Sequence, residues 1–192
     1  MGRWIHVSMT SYDPLDTGSA WLYKKVHSEA IQPALHEVIS LFALRIRELA
    51  DQPQIGRTHG QHALPITVGF WLASIEDRIK YNTGKLSLHA DELVGTISGP
   101  VGAYNAQVHL GIAERCGTKS FEHRVLEKLG IKPAPISTQI APPDPLAYFL
   151  FSAALVTQNI AQFGRDCRQL MRTEIGEITE KKEVGVVGSL VV

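Results

Sequence analysis

The sequence predicts an all-α fold, an elongated bundle of long helices. Three observations lead there. Apolar residues recur at helical spacing over three long stretches, near residues 13–50, 65–94 and 145–183. The alternation expected of strands is weak throughout. Glycine and proline gather between the stretches, in "TISGPVGAY" and "GIKPAPISTQIAPPDP".

The first stretch, Asp13 to Ala50, carries Leu22, Val26, Leu35, Val38, Phe42 and Leu49 in its apolar row. Asp13 before Pro14 reads as an N-cap followed by the first helical residue. Pro33 lacks an N–H and crowds the preceding turn, so a kink is expected there. The second stretch, Pro65 to Val94, repeats Leu72, Ile75, Ile79, Leu86 and Leu93, with Glu76, Asp77, Arg78 and Lys80 mainly opposite. Pro65 suits its first turn, which leaves Thr58 to His62 in the loop that enters it. Gly99 and Gly102 mark sharp bends after it. A shorter helix pair is expected between Val108 and Leu129, followed by a proline-rich loop of the kind that is usually functional. The third stretch runs through Phe149, Ala153, Val156, Ile160, Phe163, Leu170 and Ile178, with Asp144 as its expected N-cap. The charges of "RDCRQLMRTEIGEITE" read as a solvated face with Arg–Glu pairs.

A chain of 192 residues suits one domain, or one domain with a small appendage. Lys and Arg together number 19, as do Asp and Glu, so the formal charge is zero. That lacks the basic excess of a nucleic-acid binder. Cys116 and Cys167 are the two cysteines, with no CxxC, which argues against a disulfide framework and a thiolate zinc site. Reduced thiols in the cytoplasm are expected. The N-terminus has no apolar core of signal-peptide type. The run "PLAYFLFSAALV" falls short of the roughly 20 residues that span a bilayer, so no membrane partner is expected.

Helix length carries a further expectation. A helix of about 30 residues is about 45 Å long. A compact chain of this size has a radius of gyration of about 16 Å. Three such helices form a rod with much lateral surface, and the third is apolar nearly all round in its first half. Association in a symmetric homo-oligomer follows.

Four polar clusters stand out. "GRTHGQHALPITVG" places Thr58, His59, Gln61 and His62 beside the start of a helix, where free N–H groups favour an anion. Thr58 can donate to a carboxylate and a histidine can transfer a proton near neutral pH. A capping turn accounts for the same residues without a ligand. Metal binding by His59 and His62 lacks a third ligand nearby in sequence. "IHVSMTSYDPLDT" crowds His6, Thr10, Ser11, Asp13 and Asp16 ahead of the first helix; the N-cap accounts for Asp13 but not for His6, Thr10 and Ser11 together, although turn chemistry could. "STQIAPPDP" offers Gln139 to a ligand, and the charged end of the third stretch is the fourth cluster.

The order of the clusters is more specific than any one of them. Met-Thr-Ser-x-Asp is followed by Arg-Thr-His-Gly-Gln-x-Ala-x-Pro-x-Thr-x-Gly, then Ile-Ser-Gly-x-Val-Gly, Ser-Thr-Gln and Arg-Thr-Glu-Ile-Gly-Glu. The chain resembles the fumarase/aspartase superfamily in this, and within it the adenylosuccinate lyases, from about His6 to about Gly185. The resemblance implies a central helical bundle over residues 1–185, a non-matching tail over 186–192, and a homotetramer whose active sites draw on three subunits. It implies elimination of fumarate from succinyl-amines, adenylosuccinate and the related carboxamide ribotide SAICAR, in purine synthesis, with no metal or organic cofactor. By family position His59 becomes the general acid and His6 a second active-site histidine. Thr10, Ser11 and Thr58 become donors to a substrate carboxylate, and Gln139 a substrate-binding amide. His62, Asp13 and Ser98 lie near the site by motif, without an assigned role.

The sequence departs from the family in places. The loop bearing the family's general-base serine is expected after "EITEKKEVG", where the chain reads "VVGSLVV", and Ser189 does not match that motif. The family's N-terminal domain has no counterpart. Ser8 stands where glycine is usual, and Pro143 where arginine is common. The chain therefore reads as the middle of a lyase, with little turnover expected of it alone. Two other readings remain: another fumarate-releasing enzyme of the argininosuccinate lyase or carboxymuconate cycloisomerase type, and a helical scaffold without catalysis.

Overall fold

The computed structural model describes residues 5–117 and 119–179. Three long helical segments dominate, as expected. α1 (Tyr12–Val26) and α2 (Gln32–Glu48) form one continuous column. The turn between them, His27–Ile31, is a π-helix that ends just before Pro33. A wider turn accommodates a proline that has no N–H to donate and a ring that would strike the carbonyl four residues back. The expected kink therefore takes the form of a π-turn.

α3 (Val68–Asp91) runs antiparallel to this column, and α6 (Asp144–Leu170) runs antiparallel to α3. Paired residues fix the directions. Trp71 Nε1 donates to Asp166 at 3.3 Å, the Asn82 and Asn159 amides meet at 2.7 Å, and His89 meets Ser152 at 2.7 Å. Gly69 lets α3 and α2 touch backbone to backbone, since a Cβ there would lie 2.8 Å from Ala50 Cα and from Ile46 O.

Strands are present where the sequence hardly signals them. β1 (Pro53–Thr58) and β2 (Gln61–Thr67) form an antiparallel hairpin, pairing Pro53 with Thr67 and Thr58 with Gln61. β3 (Val94–Gly95) and β4 (Lys132–Pro133) make a two-residue parallel pair. The expected helix start at Pro65 is thus corrected. Pro65 lies in β2 opposite Ile55, and α3 is capped by Thr67, whose Oγ1 accepts the Phe70 N–H at 3.1 Å. The expected pair between Val108 and Leu129 resolves into α4 (Asn105–His109), a 3₁₀ turn (Ala113–Cys116) and α5 (Phe121–Leu129). Ser120 caps α5 at its start, and Gly130 closes it in the left-handed conformation. The third helix stops at Leu170, short of its expected end. Turns follow, with Gly176 at a positive φ of 60°. Asp144 is its first helical residue, with Pro143 at the cap position.

The hydrophobic core lies at the end of the bundle where α1 begins and α3 finishes. Leu35, Leu86, Leu93, Ile97, Leu126, Phe149 and Val156 form it with their neighbours. At the opposite end an apolar groove of about 980 Å³ opens between α2, α3 and α6, lined by Phe42, Trp71, Phe163 and Ile178 among others.

α6 buries Phe149 and Val156 in the core and leaves further apolar residues exposed. Toward α3 it turns Ser152, Asn159, Gln162 and Asp166, which reach His89, Asn82, Arg78 and Trp71. Leu150 and Phe151 are exposed, as are Tyr148, which stacks on His89 of α3, and Ile160, which lines the groove. By length and composition α6 is apolar enough to cross a membrane, with a mean hydropathy of 1.2 over its most apolar window, only 22% of which is buried. The apolar run at residues 145–156 is by itself shorter than a membrane span, and the remainder of the 27-residue helix supplies the length.

His27 lies in the π-turn, 4% exposed, edge-on to Phe149 and 3.3 Å from Ser87 Oγ. Burial lowers its pKa below the usual 6.5, against the opposing pull of Asp91. The unfolded chain then binds the extra proton more readily than the folded one. The stability linked to His27 is therefore complete above its unfolded pKa and is lost as pH falls through that value toward the lowered one. Urea midpoints should drop between neutral and mildly acidic pH, and His27→Gln should flatten that part of the slope.

Candidate functional site

Two polar regions occupy opposite ends of α3. The first surrounds the start of α1. Asp13 is fully buried in the first turn of that helix. Its Oδ2 accepts the Thr10 N–H at 2.8 Å and the Gly99 N–H at 3.1 Å, while Oδ1 accepts the Ser98 N–H at 3.1 Å. The expected N-cap role is thus corrected. Asp13 is inside the helix and reaches back to Thr10, and two of its three bonds join it to a loop more than 80 residues away. Backbone N–H donors satisfy this carboxylate in place of a cation.

Other bonds extend the union. Thr17 Oγ1 donates to the Thr96 carbonyl and accepts the Thr96 N–H, both at 3.0 Å. Ser98 and Ser137 hydroxyls meet at 2.8 Å. Asp16 Oδ2 accepts the Ala141 N–H at 2.8 Å. The Ser-Thr-Gln loop is thus pinned at Ser137 and at Ala141, on either side of Gln139. Gly102 lies under it at φ 75°, where a Cβ would stand 2.2 Å from the Ser137 carbonyl. Three of the sequence motifs, those containing Thr10, Ser98 and Ser137, are therefore one structural unit. On its surface His6, Ser11 and Gln139 are exposed, and Thr10 is buried beneath them.

The second region is the β1–β2 hairpin. His59 and Gly60 form its two-residue turn, with φ of 54° and 72°. Positive φ at both positions is the geometry of a type I′ turn, whose twist matches that of the flanking strands. The reading of Thr58 to His62 as a loop at a helix start is corrected accordingly. Thr58 pairs with Gln61, His62 pairs with Arg57, and α3 begins only at Val68. Thr58, His59 and His62 are all exposed.

The base of the hairpin is tied to the chain beyond α6. Arg57 is ion-paired with Glu177, and Gln54 Nε2 donates to the same carboxylate at 3.0 Å. The hydrogen bond from Arg57 is the main reason the Glu177 pKa lies below the usual carboxylate value. The fourth cluster is thus divided. Arg172 and Glu174 make the expected exposed pair, while Glu177 turns inward to the hairpin. Ser189 and the chain from residue 180 lie outside the described residues.

Within one chain the two regions do not meet. α3 has 24 residues, which puts about 36 Å between its ends. Thr58 and His59 stand at one end, and His6, Thr10, Ser11 and Gln139 at the other.

A family of enzymes described as lyases matches residues 1–191 of the chain. The chain belongs to the lyase family. Adenylosuccinate lyase of Pyrococcus horikoshii is 37% identical over 190 residues, covering 96% of this chain and 40% of that protein. Adenylosuccinate lyase of Bacillus subtilis is 33% identical over 188 residues, covering 97% and 41%. Among solved structures, 3-carboxy-cis,cis-muconate lactonizing enzyme from Pseudomonas putida superposes with a TM-score of 0.77 at 27% identity, over 91% of this chain and 38% of that one. Fumarate lyase from Mesorhizobium sp. BNC1 gives 0.78 at 25% identity, over 91% and 40%. The chain spans about two fifths of the length of the relatives it matches. The helical bundle of this lyase-family chain is the architecture those structures share with it.

Sequence reasoning missed Thr96, Tyr104 and Glu122, which lie under the loops. Ser137 was inside a quoted motif, but its hydroxyl carried no signal of the partner it would find. Tyr104 sits in the left-handed region at φ 55° and donates to Glu122 at 2.7 Å. Burial first, and then the Glu122 carboxyl, raise its pKa to about 12.

Two substitutions probe this end of the lyase-family chain. Asp13→Asn turns an amide N–H toward a backbone N–H that needs an acceptor. A loss of about 1–3 kcal/mol is expected for each donor so orphaned, read by denaturation and by faster amide exchange at Ser98 or Gly99. Ser8 holds φ at 69° with a buried hydroxyl that makes no hydrogen bond among the described residues. Ser8→Gly should raise stability by about 1 kcal/mol, since glycine carries no left-handed penalty. The thermal midpoint measures it.

Proposed function

We propose that this chain is the central, substrate-binding part of an adenylosuccinate lyase, which eliminates fumarate from adenylosuccinate and SAICAR in purine nucleotide synthesis. One observation carries the reading. The polar strips the family uses are divided between the two ends of a helix about 36 Å long, so a complete site requires the opposite end of another copy. The exposed apolar residues of α6 support the same association. They are suited to a neighbouring helix of a homotetramer, with the polar face of α6 turned to α3. A cytoplasmic setting accords with that reading of α6, because subunit contact would cover its exposed apolar residues.

In this reading the substrate enters as a succinyl-amine. A base removes the proton from the carbon beside one carboxylate, and the C–N bond breaks. Fumarate leaves as one product and the amine as the other. Ser11, Thr10 and Thr58 donate to the carboxylate as negative charge builds on it. Gln139 holds the substrate through its amide, and His6 lies toward the nucleotide part. His59 supplies the proton that the leaving nitrogen takes up. The type I′ turn presents the imidazole at the tip of a short ribbon, a position suited to reaching into a neighbour. Residues 1–185 constitute the bundle domain and residues 186–192 a tail. No residue of this chain is assigned the base.

A second reading has an observation of its own. The superposition on a carboxymuconate lactonizing enzyme is as good as that on a fumarate lyase, so another superfamily substrate fits the same scaffold. Incubating the enzyme that carries this chain with adenylosuccinate, argininosuccinate and carboxymuconate decides between them, with fumarate release from adenylosuccinate expected. His59→Gln in that enzyme should lower kcat by about 10² to 10⁴-fold, while light scattering still reports a tetramer. Unchanged kinetics would remove His59 from the general-acid role.

A further inference from the structure

We infer that Glu122 is a positioning residue that locks the Ser98–Gly102 loop and the Ser137–Gln139 loop into one rigid platform. The inference rests on the reading of Gln139 and the Thr10–Ser11 turn as the substrate-binding surface.

Glu122 belongs to the first turn of α5, where the sequence offers only a favourable charge at a helix start. The fold puts it elsewhere in effect. It is 4% exposed and reaches under the loops. Its Oε1 accepts the Ile97 N–H at 2.8 Å and the Thr96 hydroxyl at 3.3 Å, and its Oε2 accepts the Tyr104 hydroxyl at 2.7 Å. These partners are all neutral. Buried carboxyl groups more often face a cation, so this one is spent on organising polar backbone and hydroxyl groups.

The Thr96 hydroxyl is the link to the surface. Thr96 Oγ1 lies 2.7 Å from Ser98 Oγ and 2.9 Å from Ser137 Oγ, and the last two are 2.8 Å apart. Three hydroxyls own three protons, and with Glu122 they make four contacts. When Thr96 donates to the carboxyl, Ser98 and Ser137 are left to donate within the triangle. The carboxyl group thereby makes Thr96 the acceptor in its contacts with Ser98 and Ser137, one of which joins the two loops. Its other oxygen holds Tyr104, a residue in the left-handed region that needs such support. Gln107 adds a bond from its amide to the Ile97 carbonyl, which keeps the same segment in place from the other side.

A merely structural glutamate would weaken the whole fold, whereas a positioning glutamate loosens the loops first. Amide exchange separates the two. In Glu122→Ala, the amides of Ser98, Gly102 and Thr138 should exchange about tenfold faster or more, the scale of one lost buried hydrogen bond. Amides in the middle of α3, such as Ile79, should keep their rates. Glu122→Gln retains an oxygen for the Ile97 N–H and should restore most of the protection. Tyr104→Phe removes a single bond and should speed the same amides by less, which keeps the test usable if the alanine variant does not fold. Equal acceleration of loops and α3, or no acceleration of the loops, would overturn the inference. Fumarate serves as the binding probe, followed through the Ser11 and Gln139 amide signals. Binding by the unaltered chain that weakens about tenfold in Glu122→Ala, the cost of one such hydrogen bond, supports the inference and the functional reading together. If the unaltered chain does not bind fumarate while the exchange pattern holds, the functional reading fails and the loop lock stands. Binding that is as tight in Glu122→Ala as in the unaltered chain counts against Glu122.

Discussion

The buried carboxylate of Asp13 is the constraint on which this structure depends. It is fully buried and meets no cation among the described residues, and it takes three backbone N–H groups. Those groups come from two loops far apart in sequence. Once Asp13 holds Thr10 on one side and Ser98 with Gly99 on the other, the start of α1 is attached to the end of α3. Thr17 repeats the attachment one helical turn later through both polar groups of Thr96. Ser137 and Asp16 then bring in the proline-rich loop. A long irregular segment becomes ordered because its polar groups have partners in a buried network.

The same end of the bundle contains the hydrophobic core. Polar network and apolar core therefore lie together, and the residues proposed to face the ligand stand at the core end of the chain. The far end differs. There the groove between α2, α3 and α6 is open, and the hairpin is attached chiefly by its contacts with α3 and by the Arg57 and Gln54 bonds to Glu177. The two ends have different tasks in the proposed site. One is a firm binding surface, and the other presents a single proton-carrying side chain to a different copy.

α6 shows how a helix can look misplaced in one chain and sensible in several. Asn159, Ser152 and Asp166 find partners on α3, Phe149 and Val156 enter the core, and Leu150 and Phe151 stay exposed. Hydropathy alone assigns such a helix to a lipid phase or to a protein core. The partners on α3 give its polar face a fixed neighbour, and the proposed subunit contact would cover the exposed apolar residues.

Much of this was legible in the residues. Leucine and isoleucine at spacings of three, four and seven revealed α3, and Pro33 revealed a distortion within the first column. The hairpin was harder to read. Its strands contain two prolines and a bulge opposite Gly56, so alternation is poor, although His59-Gly60 was a usable sign of a two-residue turn. The order of the polar motifs was enough to recognise the family.

Local chemistry explains what the sequence by itself determined: helix periodicity, breakers and short motifs are all expressed within a few residues of one another. The pairing of Asp13 with Ser98 and the reach of Glu122 under two loops were decided only in three dimensions. So was the separation of His59 from Ser11. These depend on which backbone donors a buried carboxyl group meets after the helices pack, and on how far a rigid helix carries one polar strip from another. Neither quantity is written in any short stretch of chain.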